Sequence, residues 1–333
     1  MGSRTQRDVR DARTGVRTVA WPASPPPDGA VIDRAVRRSA ASPGPAPDPR
    51  QCPASPATGA VIIPAHDESA VIARLLRSLA PLAALDGIEV IVACNGCRDD
   101  TAAIARSFDN VRVVELARAS KTDALNLADD VATAWPRLYV DADVELDPQT
   151  VLRVFVQLRR PGVRAARPPH VYDVTGATPA VRAYYRARSA IPGQPRRLWG
   201  AGAYGTNEAG HRRFGRFAPV TADDSWFDGQ FDHDEKQVVD AAPTVVHTPR
   251  DVATLLALLT RQRRGYVDLE IASEAPSRTH ALLRSVRGPR SAVDAGWYIV
   301  LTLAARLRSA GAGVRAEPRW ERDASSRVSE AAR

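Results

Sequence analysis

No sustained hydrophobic period runs through residues 1–58; order then begins abruptly at Gly59. Ala60-Val61-Ile62-Ile63-Pro64 is a short apolar run closed by proline, which predicts a buried strand. Val71, Ile72, Leu75, Leu76 and Leu79 then recur at helical spacing. A second apolar run, residues 88–93, is followed by the turn signal Asn95-Gly96 and by a helix opening at Asp99 and Asp100. A third strand over residues 111–116 leads to a helix over 122–134. A fourth, Leu138-Tyr139-Val140, runs directly into Asp141-Ala142-Asp143. Strands alternating with helices in this way predict βαβ units and a parallel sheet with right-handed crossovers, whose ligands bind beyond the carboxyl ends of the strands.

Beyond Gln149 the pattern loosens. It predicts a helix over 150–158, a strand over 163–167 and a helix over 179–188. A glycine-rich turn follows over 200–205, then short strands over 236–240 and 244–247, and helices over 251–269 and 293–307. The stretch 21–56 is crowded with Pro, Ala, Ser and Asp and cannot bury enough surface to offset chain entropy, so residues 1–58 are expected to be disordered.

Composition narrows the function classes. With 44% apolar and 25% charged residues, the chain has the make-up of a soluble globular protein. The net charge of +8 does not describe a nucleic-acid binder: residues 1–58 supply nine Arg against five acids, and no basic block follows. Three cysteines (Cys52, Cys94, Cys97) are too few for a disulfide scaffold, which points to a reducing cytosol. No signal-peptide core opens the chain, and the apolar run 295–305 falls short of the ~20 residues that span a bilayer. The expected location is the cytoplasm, with the inner face of the membrane as the site of any membrane contact.

Asp141-Ala142-Asp143 is the most informative cluster. Two carboxylates two residues apart, just off a buried strand, can share one hard divalent cation, Mg²⁺ or Mn²⁺, that keeps positions open for phosphate oxygens. Asp223-Asp224 has two readings: acids capping a helix start, or a general base for an acceptor hydroxyl. Arg261-Gln262-Arg263-Arg264-Gly265, following the apolar stretch 251–259, is either a basic helix end or a diphosphate clamp. Lys121, at the predicted start of a helix, is a surface lysine or a phosphate or sugar contact. Cys94-Asn95-Gly96-Cys97 has the spacing of a dithiol or half a zinc site, but no second Cys pair accompanies it.

Taken together, these segments resemble glycosyltransferase family 2, an inverting group with the GT-A fold, most clearly from Gly59 to about Asp147 and more loosely to about Gly265. Pro64-Ala65-His66-Asp67-Glu68 is similar to the family's "P-x-x-N-E" turn, with Asp67 where Asn is usual. Asn95-Gly96-Cys97-Arg98-Asp99-Asp100-Thr101 is similar to "D-G-S-x-D-x-T", and Lys121-Thr122-Asp123-Ala124-Leu125-Asn126 to "G-K-x-x-A-L-N" with Ser120 for the glycine. Asp141-Ala142-Asp143 takes the place of the metal-binding D-x-D, Gly200–Gly205 of the acceptor-side loop, and Asp223-Asp224 of "E-D".

The resemblance implies an α/β GT-A fold: a Rossmann-like, mostly parallel sheet flanked by helices, with a helical C-terminal part. It implies a glycosyltransferase domain over 59–270, divided into a nucleotide-sugar half (59–147) and an acceptor half (148–270), with a helical extension and disordered tail over 271–333. Pro64, Ala65, Asp67 and Glu68 would line the nucleoside pocket, with Asn95 and Asp99 beside it. Lys121, Arg261 and Arg264 would meet donor phosphates or sugar, Asp141 the ribose or sugar, and Asp143 the metal. Gly200, Gly202 and Trp226 would face the acceptor, and Asp224, next to Asp223, would be the base. The expected activity is transfer of a single sugar from a nucleotide-sugar, a UDP-sugar first, to an acceptor left open between lipid-linked and small-molecule compounds. The processive "Q-x-x-R-W" motif is absent, since Gln262 is followed by Arg263-Arg264-Gly265-Tyr266. Two other readings stay open: a sugar nucleotidyltransferase and a non-catalytic GT-A-like binding or scaffold protein. The C-terminal apolar residues 252–259 and 297–301 pack on the sheet or form a weak peripheral membrane face.

Overall fold

This computed structural model describes residues 28–33, 58–191, 196–269 and 275–311. Most of the segment 1–58, Cys52 included, lies outside the described residues, as do the boundary at 270/271 and the expected disordered tail.

One piece of the N-terminal segment departs from the expectation of disorder. Residues Ala30–Ile32 form a strand, β1. From Gly59 the chain alternates strand and helix: β2 (Gly59–Ala65), α1 (Ile72–Ala83), β3 (Ile88–Asn95), α2 (Thr101–Arg106), β4 (Val111–Leu116), α3 (Lys121–Val131) and β5 (Arg137–Val140). Then come α4 (Pro148–Leu158), β6 (Ala165–Arg167), β7 (His170–Asp173), α5 (Pro179–Ala190), β8 (Ala203–Thr206), α6 (Glu208–Phe214) and α7 (Asp223–Asp228). The last elements are β9 (Lys236–Val238), β10 (Thr244–His247), α8 (Val252–Asp268), α9 (Ala275–Ser285) and α10 (Pro289–Gly311). Ser120, Asp147, Asn207 and Asp251 accept backbone hydrogen bonds as N-caps of α3, α4, α6 and α8, which satisfies one orphan donor at each helix start.

The main sheet has the order β4-β3-β2-β5-β8-β6-β9. β2 lies parallel to both β3 and β5. The chain therefore steps outward to β4 and returns to the other side of β2, and this reversal leaves a crevice at the carboxyl ends of β2 and β5. Val61, Ile63, Leu75, Leu79 and Phe155 fill one side of the sheet, and Ile62, Tyr139, Phe217 and Phe227 the other.

The glycine-rich turn expected over 200–205 contains a strand instead. β8 runs antiparallel to β5, with Tyr139 opposite Tyr204 and Leu138 opposite Gly205. A Cβ on Gly205 would stand 2.5 Å from the Arg137 carbonyl oxygen, so glycine here marks close backbone approach, not chain reversal.

A second sheet of three parallel strands, β1-β7-β10, carries α5, α8 and α10 beside it. β1 pairs with β7, and Asp28, just ahead of it, is tied to the same segment. Arg167, whose side chain is 1% exposed, donates to both Asp28 carboxylate oxygens at 3.1 and 2.7 Å, and the His170 amide donates to Asp28 Oδ1 at 2.9 Å. No helix among the described residues is long and apolar enough to cross a membrane.

Candidate active site

At the switch point lies a cavity of about 330 Å³. Its floor is the end of β5: Asp141, whose amide donates to Gly202 O at 2.8 Å, followed by Ala142 and Asp143. Gly202 must be glycine for this turn to close, since its φ is +66° and a Cβ there would strike Val144 at 2.3 Å. From α3, Lys121 Nζ reaches Asp141 Oδ1 at 2.7 Å and Asp223 Oδ2 at 3.0 Å, joining the two acidic motifs through one cation. Burial opposes the Lys121 charge, but Asp141 and Asp223 more than compensate and hold its pKa above the usual lysine value. Burial pushes the Asp141 carboxyl up to about 6, with Lys121 opposing and Asp223 and Asp143 adding to the rise.

The adjacent acids of α7 separate into two roles. Asp223 is buried and committed, to Lys121 and to the Tyr204 hydroxyl, which donates at 2.5 Å. Asp224 is half-buried at the cavity wall; its Oδ2 accepts from the Gly200 amide at 2.9 Å and its Oδ1 from Ser225 N at 2.7 Å. Burial and then Asp223 raise the Asp224 pKa, with Lys121 and the two amides opposing. A half-open carboxylate with a raised pKa, oriented by two amides, can accept a proton, whereas Asp223 is paired with Lys121. Neither side chain caps α7, whose N-cap is Ala222.

Arg261 lines the cavity from α8, which crosses so near the α7 entry that a Cβ on Gly265 would meet Ala222 Cβ at 2.9 Å. The basic cluster does not end its helix, because α8 continues to Asp268. Glu68, Gly200 and Gly202 also line the cavity; Arg264 and Trp226 do not. Trp226 packs against Phe214 and Phe217 in the core, and the tryptophan at the cavity is Trp199.

Of the residues expected around a nucleoside, Glu68 lines the cavity; Pro64, Ala65, Asp67, Asn95 and Asp99 do not, and their contacts hold two loops together. Pro64 and Ala65 lie in buried β2, and Asn95, fully buried, donates from Nδ2 to the Ala65 carbonyl at 2.9 Å. Asp67 takes a left-handed φ of 50°, a conformation Asn and Asp tolerate, and its Oδ1 accepts from the Arg98 amide at 2.5 Å. Asp99 accepts from Ser69 N at 3.1 Å and Thr101 N at 3.0 Å. Cys94 and Cys97 are free thiols in this clasp. A hydrogen bond from Cys94 lowers the Cys97 pKa to about 7 against the effect of burial, and raises that of Cys94. Asp67, Cys97 and Asp99 bring ligand-type atoms within 4.8 Å of one another; Asp67 and Asp99 also accept from the Arg98, Ser69 and Thr101 amides and Cys97 from the Asp67 amide, contacts that clasp the two loops.

Sequence reasoning missed a whole wall. Tyr172, Tyr184, Tyr185, Arg188, Trp199, His247 and Tyr266 also line the cavity. The one sequence signal was on α5, where Arg188 follows Tyr184 and Tyr185 by four and three residues, the spacings at which helical side chains meet.

Residues 60–215 match the sequence profile of Glycosyl transferase family 2. No curated protein sequence matches the chain. Among solved structures, a mannosyltransferase from Pyrobaculum calidifontis, held in complex with GDP-Man and Mn²⁺, is 18% identical at a TM-score of 0.50; the match covers 77% of this chain and 76% of that one. Glucosyl-3-phosphoglycerate synthase from Mycobacterium tuberculosis, in complex with Mn²⁺, UDP and glucosyl-3-phosphoglycerate, is 22% identical at a TM-score of 0.41, over 58% and 70% of the two chains. S. aureus TarS, in complex with UDP-GlcNAc, is 14% identical at 0.46, over 75% and 92%. The profile spans the switch-point crevice and most of the elements that build it, and the first of these structures shares the fold; over residues 60–215 the chain is similar to glycosyltransferase family 2.

Proposed function

We propose that this chain moves one sugar from a nucleotide-sugar donor to a hydroxyl acceptor by single displacement with inversion. The observation that carries this reading is the meeting, in one cavity, of Asp141 and Asp143 with Asp224 across the Lys121–Asp223 bridge. Asp224 takes the proton of the acceptor hydroxyl as its oxygen attacks the anomeric carbon, and the nucleoside diphosphate leaves from the opposite face. Lys121 and Arg261 supply positive charge near the leaving phosphates.

The residues fit a divalent metal: Asp141 and Asp143 offer hard oxygen donors in the cavity. When bound, Mn²⁺ or Mg²⁺ would neutralise charge developing on the diphosphate. The Pyrobaculum mannosyltransferase, with the same fold, binds GDP-Man with Mn²⁺, which supports this donor class and metal. A UDP-sugar is the first candidate donor and a GDP-sugar the second.

Thermal-shift titration with UDP-, GDP- and dTDP-sugars, with and without Mn²⁺ or Mg²⁺, tests the site. Metal-dependent stabilisation by one nucleotide, lost in Asp143→Ala, is the expected result; no response from a folded chain to any nucleotide defeats the reading. A weak peripheral membrane contact belongs to the same proposal. Val293, Trp297, Val300, Leu303 and Leu307 form an exposed stripe along α10, with Arg284, Arg287, Arg290, Arg306 and Arg308 exposed nearby. Sedimentation with anionic vesicles, lost in Trp297→Ser, is expected; full recovery of the chain in the supernatant refutes this contact.

A further inference from the structure

The cavity has two electrostatic ends. At one, Lys121 stands among Asp141, Asp143, Asp223 and Asp224. At the other, Arg188 reaches in from α5 with no carboxylate at ion-pair distance among the described residues. Its Nε donates to the Tyr172 hydroxyl at 3.1 Å, its guanidinium carbon lies 5.6 Å from the centre of the Tyr172 ring, and Tyr184, Tyr185 and Tyr266 complete its surroundings. Arg197, stacked over Trp199 at 4.6 Å, is a second guanidinium without a described carboxylate partner. Its pKa is lowered first by burial and then by Arg188, so the two cations act on one another. Asp28, which acts on Arg197, is already held by Arg167 and His170, and Glu145 and Asp173 by His247.

A half-buried guanidinium left with phenol groups alone keeps most of its donor fork unspent. Burying a charge without a counterion is costly, and the cost is recovered when an anion arrives. The Tyr172 hydroxyl, which accepts from Arg188, keeps its own proton to donate beside it, and a guanidinium fork with such a donor suits the oxygens of a phosphate. From this end the wall continues through Tyr266 and Trp199, whose rings meet at 6.2 Å, to Gly200, which holds Asp224. We propose that Arg188 and the tyrosines around it form a phosphate subsite for the acceptor, which is therefore a phosphorylated hydroxyl compound, its hydroxyl at Asp224 and its phosphate at Arg188. This assignment deepens the proposed transferase reading and rests on it for the identity of the hydroxyl end.

The test is calorimetric titration of the full chain, saturated with the nucleotide and metal that stabilise it, against glycerol 1-phosphate, with glycerol as control. A second arm measures binding to vesicles containing phosphatidic acid, with phosphatidylcholine vesicles as control. Binding of glycerol 1-phosphate but not glycerol, weakened at least about tenfold in Arg188→Gln and partly restored in Arg188→Lys, supports a soluble phosphate acceptor. The same Arg188 dependence confined to phosphatidic acid supports a lipid phosphate. An unaltered nucleotide-induced thermal shift shows that the variants fold and that the donor end is intact. The proposal is overturned if Arg188→Gln binds the phosphate probes as the parent does, if neither probe binds, or if excess nucleotide displaces glycerol 1-phosphate competitively. Arg188-dependent phosphate binding in a chain that answers to no nucleotide would uphold the subsite and refute the donor reading alone; for that case the titration is run without nucleotide.

Discussion

Asp224→Asn is expected to lower sugar-transfer turnover by about 10²–10⁴-fold, the usual contribution of a positioned general base, while nucleotide binding stays at the parent level. The asparagine keeps an oxygen for the Gly200 amide, so the loop should not move, but it cannot take the acceptor proton. Asp223→Asn should behave differently. It weakens the pairing with Lys121 and the strong acceptor of the Tyr204 hydroxyl, so its first symptom is a lower melting temperature together with weaker donor binding. Steady-state rates and nucleotide thermal shifts on the two variants separate the roles. Parent-like turnover in Asp224→Asn would remove it as the base.

Starting the chain at Thr58, which a reading of its composition would call harmless, is expected to destabilise the fold by on the order of 3 kcal/mol. Asp28→Ala in the full chain should reproduce most of that loss. The loss arises at Arg167, a fully buried guanidinium deprived of its carboxylate. The figure sits at the low end for a broken buried pair because Asp28 itself is 35% exposed at the side chain. Burial raises the Asp28 pKa, but hydrogen bonds from His170 and Arg167 overrule it and hold the carboxyl far below its ordinary 3.8. A depressed acid contributes its stability above the unfolded-state pKa and loses it as pH falls through the folded one. The gap between the full and shortened chains should therefore be constant across neutral pH and begin to close only below about pH 4. Denaturant midpoints at pH 7 and pH 3 measure it; equal midpoints at pH 7 would show that β1 adds nothing.

Much of the donor half could be read from the chain because its strands are buried on both faces. β2 and β3 are nearly unbroken apolar runs, and β5 ends in the acids that the fold places at the cavity floor. Asp223 and Asp224 could not be told apart by spacing, since what separates them is Lys121 and Tyr204 on one side and Gly200 on the other, all distant in sequence. β8 was hidden by the two glycines that let it approach its neighbours, and β1 by having three residues amid proline. The motif residues Asp67, Asn95 and Asp99 were visible, but their hydrogen bonds give them the work of joining two loops. Arg188 was missed because an arginine on an amphipathic helix ordinarily faces water, and only the return of β7 and α8, distant in sequence, encloses it in the cavity.

Two separate sheets contribute the two ends of the cavity, and this has an evolutionary corollary. Asp141 and Asp143 follow directly from a strand of the large sheet, whereas Tyr172 and His247 lie on the small one and Tyr184, Tyr185 and Arg188 on the helix beside it. With the proposed roles of the two ends, exchanging α5, β7 and α8 would change what receives the sugar and leave the strand that presents the paired acids unaltered. Such a division makes the chain a natural chassis for grafting new acceptor preferences onto a fixed transfer chemistry.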